Sequence, residues 1–243
     1  MKTTRRGIIR GGATLVAMAA GSAILAGNTA SAGTDVAVFR VLHASPDAPG
    51  LDVYVNRTRV ARNLLYTKFS GDWHYPAVTA VVRVFTAGAP FNSQPLFQKN
   101  ITFEVGRSYV LVVTGLLGQP NTPSQFDIAQ FQDPPRPPAG QTNIRLAHVA
   151  PGVGNVDLYT TDNEPFILDV GFKIAKDVVK PSGTYEFQVR SAGQPTVLFP
   201  ITPTHFPSAQ VRTIYVFAPS QNPAARETNL PAASTAQPFS VIR

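Results

Sequence analysis

The feature that most constrains this chain is that it repeats itself. Phe39-Arg40-Val41-Leu42-His43-Ala44-Ser45-Pro46 lines up with Ile144-Arg145-Leu146-Ala147-His148-Val149-Ala150-Pro151, and Leu51-Asp52-Val53-Tyr54 with Val156-Asp157-Leu158-Tyr159. The separation is 105 positions in both blocks. It holds again for Lys68 with Lys173, Asp72 with Asp177, Pro76 with Pro181, Gly88 with Gly193, Pro90 with Pro195 and Arg107 with Arg212. A single offset kept over so much chain reads as two tandem copies of one domain, residues 33–131 and 142–243. Between them, residues 132–141 hold four prolines in ten positions. Such a segment favours extended polyproline geometry, so a semi-rigid Pro-rich linker is expected.

Each copy offers about seven strand-like runs. In the first they fall near 35–43, 51–57, 62–69, 78–86, 96–105, 109–115 and 125–131. Leu51, Val53 and Val55 alternate with Asp52, Tyr54 and Asn56, the period of a half-buried strand. Turn formers such as Pro46-Asp47-Ala48-Pro49-Gly50 separate the runs. The expected fold is all-β, with two tandem immunoglobulin-like β-sandwich domains joined by the Pro-rich linker. In copy two, the spacing of apolar residues over Ile167–Val179 is compatible with a helix, although its counterpart in copy one does not look helical. The longer polar connection Ser220–Gln237 precedes a last strand at Phe239–Ile242.

Residues 1–32 read as a cleaved signal peptide. A basic start, Met1–Arg10, is followed by the small, apolar stretch Gly11–Gly27 and by Ala30-Ser31-Ala32, a small-x-small cleavage site. The apolar stretch is shorter than the roughly 20 residues of a spanning helix. Thr4-Arg5-Arg6-Gly7-Ile8-Ile9-Arg10 resembles a twin-arginine export signal. The chain is therefore expected outside the cytoplasm, secreted or associated with the cell envelope, with no integral membrane segment after cleavage.

Charge and cysteine content narrow the chemistry. The formal net charge is +7, but four basic residues and no acid lie in the leader. That leaves 17 basic against 14 acidic residues with no basic run after residue 10, so nucleic acid is not an expected partner. The chain has no cysteine. Disulfides, thiol nucleophiles, Cys-type metal sites and a lipidated cysteine are excluded together.

The recurring His43, Pro46, Asp52 and Tyr54, with His148, Pro151, Asp157 and Tyr159, form the main constellation. A His and a carboxylate across a turn can hold a metal or act as a dyad. Recurrence along with the scaffold instead favours a structural role, in which the carboxylate accepts bonds from a turn. A zinc site needs further ligands, and His74 and His205 belong to no shared pattern. No G-x-S-x-G elbow or phosphate-binding glycine loop is present, and Ser45 is Ala150 in copy two. No catalytic residue, metal or cofactor is assigned. Trp73, His74 and Tyr75 are the candidate ligand-binding residues, because copy two replaces them with Val178, Val179 and Lys180. Aromatics in a loop can stack on a sugar or anchor a partner, and the competing reading has Trp73 filling the apolar site of Val178.

The His43–Pro49 segment, followed by Leu51-Asp52-Val53-Tyr54-Val55, resembles a bacterial secreted domain of unknown function, number 4397. The resemblance covers both copies, closely in the first. The second departs at Val149-Ala150-Pro151-Gly152-Val153-Gly154. It implies an exported cell-surface or matrix module and supplies no activity. The function expected is a non-catalytic module binding an extracellular carbohydrate or protein. The alternatives are a self-associating envelope protein, or a metal protein or enzyme built on the His/Asp motif.

Overall fold

The apolar alternation read from the sequence becomes four stacked sheets. The computed structural model describes residues 35–219 and the strand 240–242; residues 1–32, read above as a signal peptide, and the connection Ser220–Gln237 lie outside the described residues. No helix occurs among the residues described. The first half comprises β1 (Val36–Ala44), β2 (Leu51–Val55), β3 (Thr58–Leu64), β4 (Trp73–Pro76), β5 (Thr79–Thr86), β6 (Phe97–Thr102), β7 (Ser108–Thr114) and β8 (Asp127–Gln132). The second comprises β9 (Gln141–His148), β10 (Val156–Thr160), β11 (Pro165–Val170), β12 (Ile174–Pro181), β13 (Gly183–Ser191), β14 (Val197–Phe206), β15 (Gln210–Val216) and β16 (Ser240–Ile242).

Each half is a β-sandwich of two four-stranded sheets. The first half orders them β4-β1-β7-β8 and β3-β2-β5-β6, the second β12-β9-β15-β16 and β11-β10-β13-β14. The second half thus follows the first strand for strand. Each sandwich has one parallel pair, β1 with β7 and β9 with β15, and the other pairings are antiparallel. The eighth strand of each half is what the sequence reading lacked. It read Asp72–Pro76 as a loop, but β4 pairs with β1, setting Phe39 opposite Trp73 and Ala37 opposite Tyr75.

The helical reading of Ile167–Val179 is also corrected. Ile167, Val170, Ile174 and Val178 have helix-like spacing only because two strands are joined by a tight turn. Lys173 adopts φ 64° at that turn, and β12 pairs with β9 along its whole length, from Ile174–His148 to Pro181–Gln141. Such continuous pairing satisfies the backbone in a strand and leaves none for a helix. The last strand expected at Phe239–Ile242 is present as β16, paired with β15.

Three apolar clusters hold the layers together. One fills the first sandwich, with Phe39, Val53, Val82 and Leu111, and a second fills the other, with Leu146, Leu158, Phe187 and Ile214. The third lies between the sandwiches. It takes Leu42, Ala44, Val110, Val112, Ala129 and Phe131 from one side and Ala147, Val149, Tyr215 and Phe217 from the other. Along β7, Leu111 and Val113 face the first core while Val110 and Val112 face the second sandwich. A strand buried on both faces reads as an unbroken apolar run, as Tyr109–Val113 does. The proline segment therefore runs beside a direct packing contact between the two sandwiches. Tyr66 extends that contact, since its hydroxyl donates to the Ala218 carbonyl and its ring meets Phe217 edge-on at 5.9 Å. Thr114 Oγ1 donates to the Val149 carbonyl at 2.8 Å, and Lys173 pairs with Asp127 at 3.0 Å.

Candidate functional site

The recurring histidines sit where the parallel pair of each sandwich ends and the chain turns to the facing sheet. His43 is fully buried. Its Nδ1 accepts the Ser45 backbone N–H at 3.3 Å and its Nε2 lies 3.0 Å from the Pro49 carbonyl oxygen. A carbonyl only accepts, so Nε2 carries the proton and the ring is a neutral staple across the turn. Burial pushes the pKa of His43 down to about 4, although the Pro49 bond and the Asp47 charge pull the other way. His148 repeats the arrangement, with Ala150 N–H on Nδ1 at 3.3 Å and the Gly154 carbonyl on Nε2 at 3.0 Å, and burial again lowers its pKa.

Asp52 and Asp157 clamp a different place. Asp52 accepts the Asn63 N–H at 2.7 Å on one oxygen and the Gly88 N–H at 3.2 Å on the other. Asp157 accepts from Asp169 at 2.6 Å and Gly193 at 2.9 Å. All four donors sit on residues with positive φ: Asn63 45°, Gly88 79°, Asp169 55° and Gly193 69°. The carboxylate thus stabilises two left-handed turns flanking its strand, conformations that cost L-residues energy. The His and Asp of each copy bond to separate sets of backbone groups, and both His nitrogens are occupied. Among the described residues, no three His, Cys, Asp or Glu side chains gather in a metal-binding group.

The remaining motif residues also pack into the scaffold. Pro46 and Pro151 are buried at the start of their turns. Tyr54 meets Phe85 edge-on at 5.5 Å and Phe91 at a tilt at 4.9 Å, whereas Arg190 lies 4.3 Å over the ring of Tyr159. Ser45 is specific to copy one. Its hydroxyl shares its one hydrogen between the Gly115 carbonyl at 2.7 Å and Asp47 at 3.0 Å, and does not bond to His43. Asp47 in turn accepts the Leu117 N–H at 2.8 Å.

Trp73, His74 and Tyr75 lie on β4 rather than in a loop. Trp73 and Tyr75 are half-buried against the first core. The Trp73 indole donates to the Val60 carbonyl at 2.8 Å, and Tyr75 meets Phe39 and Phe103 at 6.1 and 5.5 Å. Trp73 opposes Phe39 as Val178 opposes Ile144, the same position in each copy. His74, on the opposite side of the strand, is exposed.

A concave feature of the surface lies elsewhere. Where the apolar packing between the sandwiches ends, a cleft of about 730 Å³ opens, lined by Arg40, Arg107, Arg136, Asp72, Asp133 and Tyr215 with Pro134 and Pro135. Arg40 makes a two-pronged bond to Asp133, at 3.1 and 3.3 Å. The guanidinium of Arg145 stands 3.9 Å from the same carboxylate and donates to the Gln132 carbonyl at 2.8 Å. Motif reading missed this cleft. One available signal was an Arg inside the apolar run Val38-Phe39-Arg40-Val41-Leu42 and again at Arg145.

The family model described as a domain of unknown function (DUF4397) matches residues 37–159. The chain belongs to this family. The match runs from β1 through Asp157 and Tyr159 of the second sandwich, so both His staples and the whole Asp52 clamp fall inside the DUF4397 span, while the Asp157 clamp has its carboxylate inside and its donors Asp169 and Gly193 beyond it. No curated protein matches the sequence. Among solved structures it is similar to the Bacillus anthracis TIE protein, at 13% identity and a TM-score of 0.25, covering 75% of this chain and 34% of that one. The chain thus spans about a third of that protein's length. It is also similar to CBMbc, a family CBM26 module of Eubacterium rectale Amy13K solved with maltoheptaose, at 10% identity and a TM-score of 0.24, covering 78% of this chain and 99% of that one. At these scores neither likeness bears on what this DUF4397 chain does.

Proposed function

We propose that the protein is an exported, non-catalytic binding module of the cell surface or extracellular space, built from two tandem copies of one domain. The observation that carries this reading is the use of the signature residues. His43, Asp52, His148 and Asp157 are all engaged by backbone groups of their own turns. Residues that hold turns leave recognition to the surface, and two sandwiches packed through a shared apolar cluster present that surface with a cleft at its seam. Presentation on packed sheets lowers the ordering cost of binding. The leader Met1–Ala32, with its paired arginines, supports export.

The test is retention of residues 33–243 on immobilised cell-wall polysaccharide and on surface extract, beside an unrelated β-sandwich protein. Selective retention is the expected result. Failure to bind either, together with concentration-dependent light scattering of the purified protein, would replace this reading with a self-associating envelope protein.

A further inference from the structure

The cleft at the seam has a chemistry of its own. On the strands that floor it, the residues facing the neighbouring sandwich change from apolar to polar toward one end. Leu42 gives way to Arg40 on β1, Val110 to Ser108 on β7, and Phe217 and Tyr215 to Thr213 at β15. An apolar seam would have closed there. Instead the two sandwiches leave about 730 Å³, within the range of roughly 300–1,000 Å³ of small-molecule sites.

Guanidinium groups outnumber carboxylates around this space. Asp133 is already held by Arg40 and approached by Arg145, so the floor is rigid and its one carboxylate is neutralised. At the rim, Arg136 makes no ion pair among the described residues. Arg107 has only Glu104, at 3.8 Å with both side chains more than half exposed, 55% and 64%, a pairing that contributes little. Two guanidiniums are therefore free to form the forked bonds that match carboxylate and phosphate oxygens. Asp72 at the rim adds an acceptor for hydroxyl groups, and Pro134 and Pro135 add an apolar wall.

We propose that the seam cleft binds an anionic glycan, a hydroxylated polymer whose units carry carboxylate or phosphate, with Arg107 and Arg136 as the groups that take the anion. This deepens the binding-module reading and rests on it. It also gives the Pro-rich segment a second use, as one wall of the site.

The test titrates residues 33–243 with polygalacturonate, with poly(glycerol phosphate) and with neutral dextran, at low and high salt. The variants are Arg107→Gln/Arg136→Gln and, as a control for charge alone, Arg57→Gln/Arg62→Gln near the β2–β3 turn. Binding of at least one anionic polymer, weakened by salt and reduced about tenfold or more in the cleft variant but not in the control, is expected. Which polymer binds distinguishes carboxylate from phosphate. Equal loss in both variants, equal binding of dextran, or no binding of either anionic polymer overturns the proposal. Retention on surface extract in any of those cases leaves the module reading standing; loss of that retention too removes both. All four substituted side chains are exposed, and unchanged melting temperatures confirm that the variants fold.

Discussion

The two sandwiches solve the same turn with different amounts of material. Both use a buried neutral imidazole to join the N–H two residues on to the carbonyl six residues on. The first copy adds Ser45 and Asp47, which tie the turn to Gly115 and Leu117 after β7. The second has Ala150 and Gly152 at those positions. The His staple and the Asp clamp are thus common to the fold, while the Ser/Asp tie is an addition specific to one copy. A motif that looks like one continuous signature contains two layers of different structural weight.

The largest effect should come from the shared layer. Asp52→Ala and Asp157→Ala each strand two turn N–H groups, at roughly 1–3 kcal/mol apiece, so a loss of about 2–6 kcal/mol is expected in either copy. Denaturant melts of both variants check this. A severe loss in one copy and none in the other would break the equivalence of the two sandwiches. Trp73→Ala should come next, at about 3 kcal/mol, the low end for a core tryptophan because the ring is only half-buried. Trp73→Val, the residue found at position 178, should recover part of the loss. If instead Trp73→Ala leaves melting unchanged and abolishes retention on surface extract, the ring serves a ligand and not the core.

The imidazoles give the comparison a pH readout. His43 has a folded pKa of about 4 against 6.5 for an unperturbed His, so in this window the unfolded chain takes up a proton that the folded chain refuses. The stabilising contribution is complete above pH 6.5 and is lost as pH falls toward 4. Between pH 6.5 and 5, before most carboxylates titrate, His43 alone should remove about 1.5 kcal/mol. His148 acts in the same direction. Thermal melts across this window should slope downward toward acid, and His43→Gln/His148→Gln should flatten the slope. A wild-type profile already flat over the window would mean that the imidazoles are not held neutral.

Much of this organisation was legible in the chain itself. The alternation Leu51-Asp52-Val53-Tyr54-Val55 gave a strand with one face inward, and that is β2. The run near 109–115 reads as another strand, and that is β7; that its two faces are buried against different partners, the first core and the second sandwich, shows only in the packing. β4 was missed because an edge strand of four residues beside Gly71 and Asp72 carries too few alternations to separate it from an aromatic loop. The repeat identified His43 and Asp52 as constrained, but only backbone coordinates show that each bonds to its own turns and not to the other. The cleft was out of reach of motif reading. Its residues run from position 40 to 215, and they meet only because two outer sheet faces pack together.

The smallest expected effect separates the two layers of the signature. Ser45→Ala leaves the buried Gly115 carbonyl without its hydroxyl donor and should cost about 1 kcal/mol. Asp47→Ala should barely alter the melt, because its partners Leu117 N–H and Gly118 N–H lie near the surface, where water can replace the carboxylate, and the Ser45 hydroxyl keeps the Gly115 carbonyl as acceptor. Its consequence is local: faster amide hydrogen exchange at Leu117 and Gly118, with β1 and β7 still protected. Ala150→Ser in copy two, which has no Asp at the position matching Asp47, should change neither stability nor exchange in β9. Protection gained in the second sandwich by Ala150→Ser alone would mean that the tie needs only the hydroxyl, and that Asp47 does something other than hold the loop.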